Sequence, residues 1–160
     1  MIDFRRSLAA FAATSADVVV IGGLAMSVRG GSRATFDLDL SYERSTENLD
    51  RVVRALAPLS PRMRGADPSL PFFWDIATLR SGCNFTLTTD AGDLDLLGEV
   101  TGLGSYREVA VLATRVKLFD MDVLVLDLDG LERAKRAAGR AKDLIDLAEI
   151  AALRARRKPG

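Results

Sequence analysis

Two stretches of this chain alternate aspartate with leucine, 36–40 (FDLDL) and 93–97 (DLDLL). Period two is the period of a β-strand, whose successive side chains point to opposite faces of a sheet. Asp37 and Asp39 therefore share one face, and Leu38 and Leu40 the other. Asp93 and Asp95 stand in the same relation to Leu94 and Leu96. Carboxylates at i and i+2 repel each other unless positive charge sits between them, so each stretch alone has two readings. It is either the solvated face of an edge strand or a face built to meet a cation. If the two strands pair near each other, three or four carboxylates gather on one surface, a donor set suited to a hard divalent cation.

The rest of the chain supplies a scaffold for such strands. The run 17–21 (DVVVI) is continuously apolar and β-branched, as expected of a strand covered on both faces. Gly22-Gly23 ends it, and 24–30 (LAMSVRG) reads as a short helix stopped at Gly30-Gly31. Apolar residues at helical spacing predict further helices over 4–14 and 45–59, the second capped at Ser45 and closed by Pro58 and Pro61. Residues 62–71 form a polar, proline-containing connection, and 72–79 fit no single period. A hairpin is expected over 84–97 around Asp90-Ala91-Gly92, and a second pair of strands, 115–119 and 123–126, around Asp120-Met121. Two helices follow, 128–138 and 142–155, broken at Gly139. The order predicts one α/β or α+β domain with a mixed sheet, spanning 1–160, its core at about 17–127 and its C-terminal helices at about 128–156.

Composition narrows the chemistry. The chain has one cysteine, Cys83, and no histidine, which excludes disulfide frameworks, Cys/His zinc sites, Ser-His-Asp triads and histidine general bases. Cys83 is expected as a small core residue in a reducing cytoplasm. Lys+Arg and Asp+Glu both number 22, so net charge points to neither nucleic acid nor membrane. The charges are uneven, however: 132–158 is basic, and the surroundings of Asp37 and Asp93 are acidic. No run approaches the roughly 20 apolar residues of a membrane helix, and the N-terminus reads as an amphipathic helix rather than a signal peptide. Richness in Ala, Arg, Leu and Asp with few Lys fits a bacterial source of high GC content. Carboxylates, backbone amides and basic side chains must carry whatever chemistry is done.

A strand that ends in Gly22-Gly23 and feeds a short helix presents free backbone N–H groups, and glycine lets the chain approach an anion without a Cβ in the way. The same pair also reads as a tight turn that binds nothing. It is neither a Walker A loop nor Gly-x-Gly-x-x-Gly.

Gly22-Gly23, thirteen residues, Asp37-Leu38-Asp39 and a later strand carboxylate together resemble the DNA polymerase β-type nucleotidyltransferase superfamily. The segments GGLA, GGSRATFDLDL, LTTDAGDLDLL and KRAAGRAKDLIDL are similar to small prokaryotic nucleotidyltransferases of the abortive-infection (type IV) toxin–antitoxin group, over about 18–147. The resemblance implies a nucleotidyltransferase-type mixed β-sheet flanked by helices, with a short C-terminal helical pair. It implies that Gly22 and Gly23 hold the triphosphate and that Asp37 and Asp39 bind metal, Mg²⁺ or Mn²⁺. Asp95 is the third carboxylate by the family pattern, with Asp93 its competitor on the same face. Lys135 and the pair Lys142-Asp143, with Arg140 and Asp146 adjacent, match a helical lysine and a later basic–acidic pair near the site. The same helices also read as amphipathic helices with solvated charged faces, and Arg33 as either a phosphate contact or a surface arginine.

The activity implied is transfer of an NMP from an NTP to a hydroxyl of an RNA, a protein or a small molecule such as an antibiotic, as by the toxin of a toxin–antitoxin pair. Longer members of the group add helices beyond the two expected here. The acceptor stays open, and a small cytoplasmic domain acting as a homodimer or with an antitoxin protein is expected. The alternative from another class is an inactive nucleotidyltransferase-like module that binds nucleotide or a partner without turnover.

Overall fold

Val18–Ile21 forms β1 at the centre of the sheet, and Val19, Val20 and Ile21 are all buried, as a β-branched run without polar alternation requires. The computed structural model describes residues 1–157; Lys158, at the end of the basic stretch, lies outside them. β1 runs antiparallel to β2 (Asp37–Tyr42) on one side and parallel to β7 (Met121–Leu126) on the other. The remaining strands are β3 (Arg62–Met63), β4 (Asn84–Thr89), β5 (Gly92–Leu97) and β6 (Ala113–Leu118). They complete a seven-stranded mixed sheet in the order β3-β4-β5-β2-β1-β7-β6. The helices are α1 (Phe4–Thr14), α2 (Gly22–Val28), α3 (Thr46–Leu56), α4 (Ile76–Ser81), α5 (Tyr106–Val111), α6 (Leu128–Ala138) and α7 (Ala141–Arg157).

The two Asp-Leu strands lie side by side. β2 pairs with β5 in parallel, with Asp37 opposite Asp93, Leu38 opposite Leu94, Asp39 opposite Asp95 and Leu40 opposite Leu96. The four leucines have no exposed surface and join one cluster with Leu8 and Phe11 of α1 and Leu49, Val52 and Leu56 of α3. Burying each leucine is worth roughly 1.5–3 kcal/mol. A one-residue slip of either strand would forfeit that gain and turn its aspartates into the core, so the leucine face sets the register that collects the carboxylates.

Caps fix the helices that frame this sheet. Asp3 accepts from the Arg6 N–H at the start of α1, Ser45 from the Asn48 N–H at the start of α3, and Asp127 from the Gly130 N–H at the start of α6. Gly139 ends α6 in the left-handed conformation.

Several expectations need correction. α2 begins at Gly22, so the glycine pair is the first turn of the helix and does not precede it. The connection after residue 61 contains β3, and the ambiguous segment after it yields α4, capped by Asp75. α5 lies where no element was expected. The second hairpin turns at Phe119-Asp120, both at positive φ, rather than at Asp120-Met121. Cys83 is exposed and is not a core residue. At that position the backbone is the part engaged: the Cys83 carbonyl accepts from Tyr42 Oη (2.7 Å) and from the Gly98 N–H (3.2 Å). Among the described residues, no helix is long and apolar enough to cross a membrane.

α7 departs most from a simple amphipathic helix. Asp143 and Asp146 are buried, while Leu144 and Ile145 are each 65% exposed. The reading of its charged residues as a solvated face fails for both aspartates, because they pair with cations across the helix boundary.

Candidate active site

The carboxylate face of β2 and β5 forms the floor of a cleft of about 1010 Å³. Oxygens of Asp37, Asp39 and Asp95 all lie within 4.8 Å of one another. Asp93 is not in that trio. Its carboxylate accepts from Thr88 Oγ1 (3.0 Å) and stands 3.4 Å from Arg64 Nε.

Gly22 is required by this floor. It has φ +65°, and a Cβ built on it would lie 2.2 Å from Asp39 Oδ2. At Gly23 a Cβ would lie 2.4 Å from Thr35 Oγ1. The first turn of α2 is thus pressed against the acidic strand, which any side chain would prevent. α2 has no side-chain cap, and its glycines line the cleft.

The opposite wall is basic. Lys135 of α6, nearly buried, reaches Asp146 Oδ2 (2.9 Å) and Asp143 Oδ1 (3.5 Å) on α7. Arg140 grips Asp143 (2.8 Å), and Arg33, in the segment between α2 and β2, grips Asp146 (3.0 Å). Asp143 is fully buried and does not line the cleft; it orients Lys135 and Arg140, which do. Lys142 is exposed on the cleft wall and makes no ion pair among the described residues. The segment bearing Arg33 is tied to α7 a second time, since Ser32 donates to Glu149 Oε1 from both its N–H (2.7 Å) and its hydroxyl (2.9 Å). A third tie runs from Arg157 Nη2 to the Arg29 carbonyl (3.0 Å).

The electrostatics of the two walls differ. Burial, then the charges of Asp37 and Asp95 and a hydrogen bond with Asp95, push the Asp39 carboxyl up from 3.8 to about 7, against the opposing pull of Lys135. The Arg140 hydrogen bond, its N–H included, holds Asp143 down at about 2 despite its burial. On the basic wall Lys135, Arg140 and Arg33 are paired with Asp143 and Asp146, whereas on the floor four aspartates meet the charge of Arg64. Three oxygen donors in mutual repulsion suit a hard divalent cation, which would relieve the conflict that raises Asp39.

Of the residues singled out from sequence, Gly22, Gly23, Arg33, Asp37, Asp39, Asp93, Asp95, Lys135, Arg140, Lys142 and Asp146 line this one cleft. Asp143 stands behind it. Sequence reasoning missed Arg64, Thr35 and Glu149. A signal for Arg64 existed: Arg62-Met63-Arg64 alternates with the period of a strand inside a segment dismissed as connection.

No protein-family model matches the chain, and no curated protein matches it. Among solved structures, the chain is similar to a protein from Thermotoga maritima described as a "putative nucleotidyltransferase". The TM-score is 0.58 at 16% sequence identity, over 93% of this chain and 94% of that one. At that identity the likeness establishes the fold, a nucleotidyltransferase-like mixed sheet flanked by helices, over nearly the whole of both chains.

Proposed function

We propose that this protein is a Mg²⁺-dependent nucleotidyltransferase that moves an NMP from an NTP to an acceptor hydroxyl, on an RNA, a protein or a small molecule, and that it belongs with the toxins of type IV toxin–antitoxin pairs. The observation that carries the reading is the carboxylate trio Asp37, Asp39 and Asp95 packed against Gly22 in a large cleft of a nucleotidyltransferase-like fold. Support for the toxin assignment comes only from the sequence resemblance.

In this reading Asp37, Asp39 and Asp95 hold Mg²⁺ or Mn²⁺, which supplies charge neutralisation at the triphosphate and acidifies the acceptor hydroxyl. Gly22 and Gly23 leave room for a phosphate beside the first turn of α2. Arg33, Lys135, Arg140 and Lys142 face the carboxylates across the cleft and offset the charge of the departing pyrophosphate. Asp95 accepts the proton of the attacking hydroxyl. Positioning and electrostatics supply most of the rate, so no histidine is required.

The test is a binding titration of each NTP with Mg²⁺ and with EDTA, on the wild type and Asp39→Asn, followed by single-turnover assays with labelled NTP and candidate acceptors. Magnesium-dependent binding lost in Asp39→Asn, with label transferred to an acceptor, supports the enzyme. Binding with no transfer to any acceptor class leaves the nucleotide-binding module. A fully active Asp39→Asn protein would sink the assignment.

A further inference from the structure

Among the described residues, Arg64 is the cation that pairs with the carboxylate floor, and the proposed reaction assigns it nothing. Its main-chain N–H donates to the Thr86 carbonyl (3.0 Å), extending the β3–β4 pairing by one residue. Thr86 stands opposite Asp95, and Asp95 opposite Asp39. Arg64 therefore stands at the outer end of the cross-strand row that runs through Thr86 and Asp95 to Asp39. Its Nη2 donates to Asp95 Oδ1 (2.8 Å) and to the Leu87 carbonyl (2.8 Å). Its Nε is buried, has no hydrogen-bond partner among the described residues, and stands 3.4 Å from Asp93 Oδ2.

We propose that Arg64 is a positioning residue: it holds Asp95 in the orientation a cation at the trio requires and holds Asp93 out of that trio. The inference rests on the metal-site reading above. A carboxylate turns through a broad torsional well, so the direction Asp95 takes beside Asp37 and Asp39 depends on what holds its far side. The guanidinium provides that hold, because its planar fork is itself anchored to the Leu87 carbonyl while it binds Asp95. The same fork, leaning toward Asp93, leaves that residue with Thr88 and Arg64 as partners instead of the cluster.

Positioning and simple charge predict opposite signs, which makes the idea testable. Removing a cation next to three carboxylates raises the local negative potential, so a bystander arginine would weaken metal binding by its presence. A positioning arginine strengthens it, and loss of such outer partners typically costs about 10–100-fold in metal affinity. Mn²⁺ binding to the full chain is measured by electron paramagnetic resonance for the wild type, Arg64→Gln, Arg64→Lys, Asp95→Asn and the Arg64→Gln/Asp95→Asn double variant, with circular dichroism to establish folding. The expected result is about tenfold weaker binding in Arg64→Gln, a smaller loss of about threefold in Arg64→Lys, and little further loss in the double variant beyond that of Asp95→Asn. If Arg64→Gln does not fold, Arg64→Lys keeps the charge and must show the same direction of change. Equal or tighter Mn²⁺ binding in the folded Arg64 variants, with binding lost in Asp95→Asn, overturns this inference and leaves the metal site standing. A wild type that binds no Mn²⁺ overturns the metal site, and this inference with it.

Discussion

At the scale of single residues, Asp39 is where stability and the proposed function conflict. Its carboxyl is protonated well above the ordinary range because burial and two neighbouring aspartates oppose its charge. Asparagine keeps the shape and removes the charge. Asp39→Asn is therefore expected to melt several degrees higher than the wild type at pH 8 without metal, and to show no stabilisation by Mg²⁺; calorimetry with and without the ion checks both. Gly22→Ala should go the other way. The positive φ costs about 1–2 kcal/mol for a residue with a Cβ, and that Cβ would have to displace Asp39 Oδ2. Lower stability together with weakened Mn²⁺ binding is the expected outcome, measured by urea unfolding and paramagnetic resonance.

At the scale of elements, the first turns of α7 bury Asp143 and Asp146 against Lys135 of α6, where buried leucine is ordinarily expected, and apolar burial resumes at Ile150 and Leu153. Asp143→Ala leaves Lys135 with Asp146 as its carboxylate partner but releases Arg140 and the Arg140 N–H, at an expected cost of about 2 kcal/mol in urea unfolding with unchanged slope. Ile145→Ala, on the exposed face of the same helix, should stay within about 0.5 kcal/mol of the wild type. This inversion was not legible in the sequence, because periodicity locates a charged face without saying what it meets. The strands were legible for the opposite reason. In β2 and β5 the leucines that sink and the aspartates that stay out are distinct at every position, so period and face coincide. β3 escaped notice because the alternation of Arg62-Met63-Arg64, three residues between Pro61 and Gly65, is too short to stand out from a connection, and Arg64 went with it. Arg64 connects to Asp95 only through the register of β4, and sheet register between distant strands has no local signature. The same limit applies to Glu149, whose partner Ser32 lies far away along the chain.

At the scale of the molecule, two carboxylates act on folding in opposite directions. Asp39 holds its proton in the folded state at pH values where the unfolded chain, with its ordinary 3.8, has lost it, so its contribution to stability falls as pH rises from about 4 to about 7. Each pH unit in that window is worth about 1.4 kcal/mol. Asp143, held at about 2, contributes stability that is present above pH 4 and lost as pH falls toward 2. Melting temperature without metal should therefore decline on both sides of about pH 4, and saturating Mg²⁺ should flatten the upper limb. A level profile between pH 4 and 7 without the ion would mean that Asp39 ionises as an ordinary aspartate. The three ties from Ser32, Arg33 and Arg29 to α7 have a consequence in time as well as in space. A chain growing on the ribosome completes β1, β2 and β5, with all three carboxylates of the trio, long before it reaches Asp146, Glu149 and Arg157. In the order of synthesis the residues of the acidic floor precede those of its opposite wall, so the cleft can be complete only once α7 has emerged.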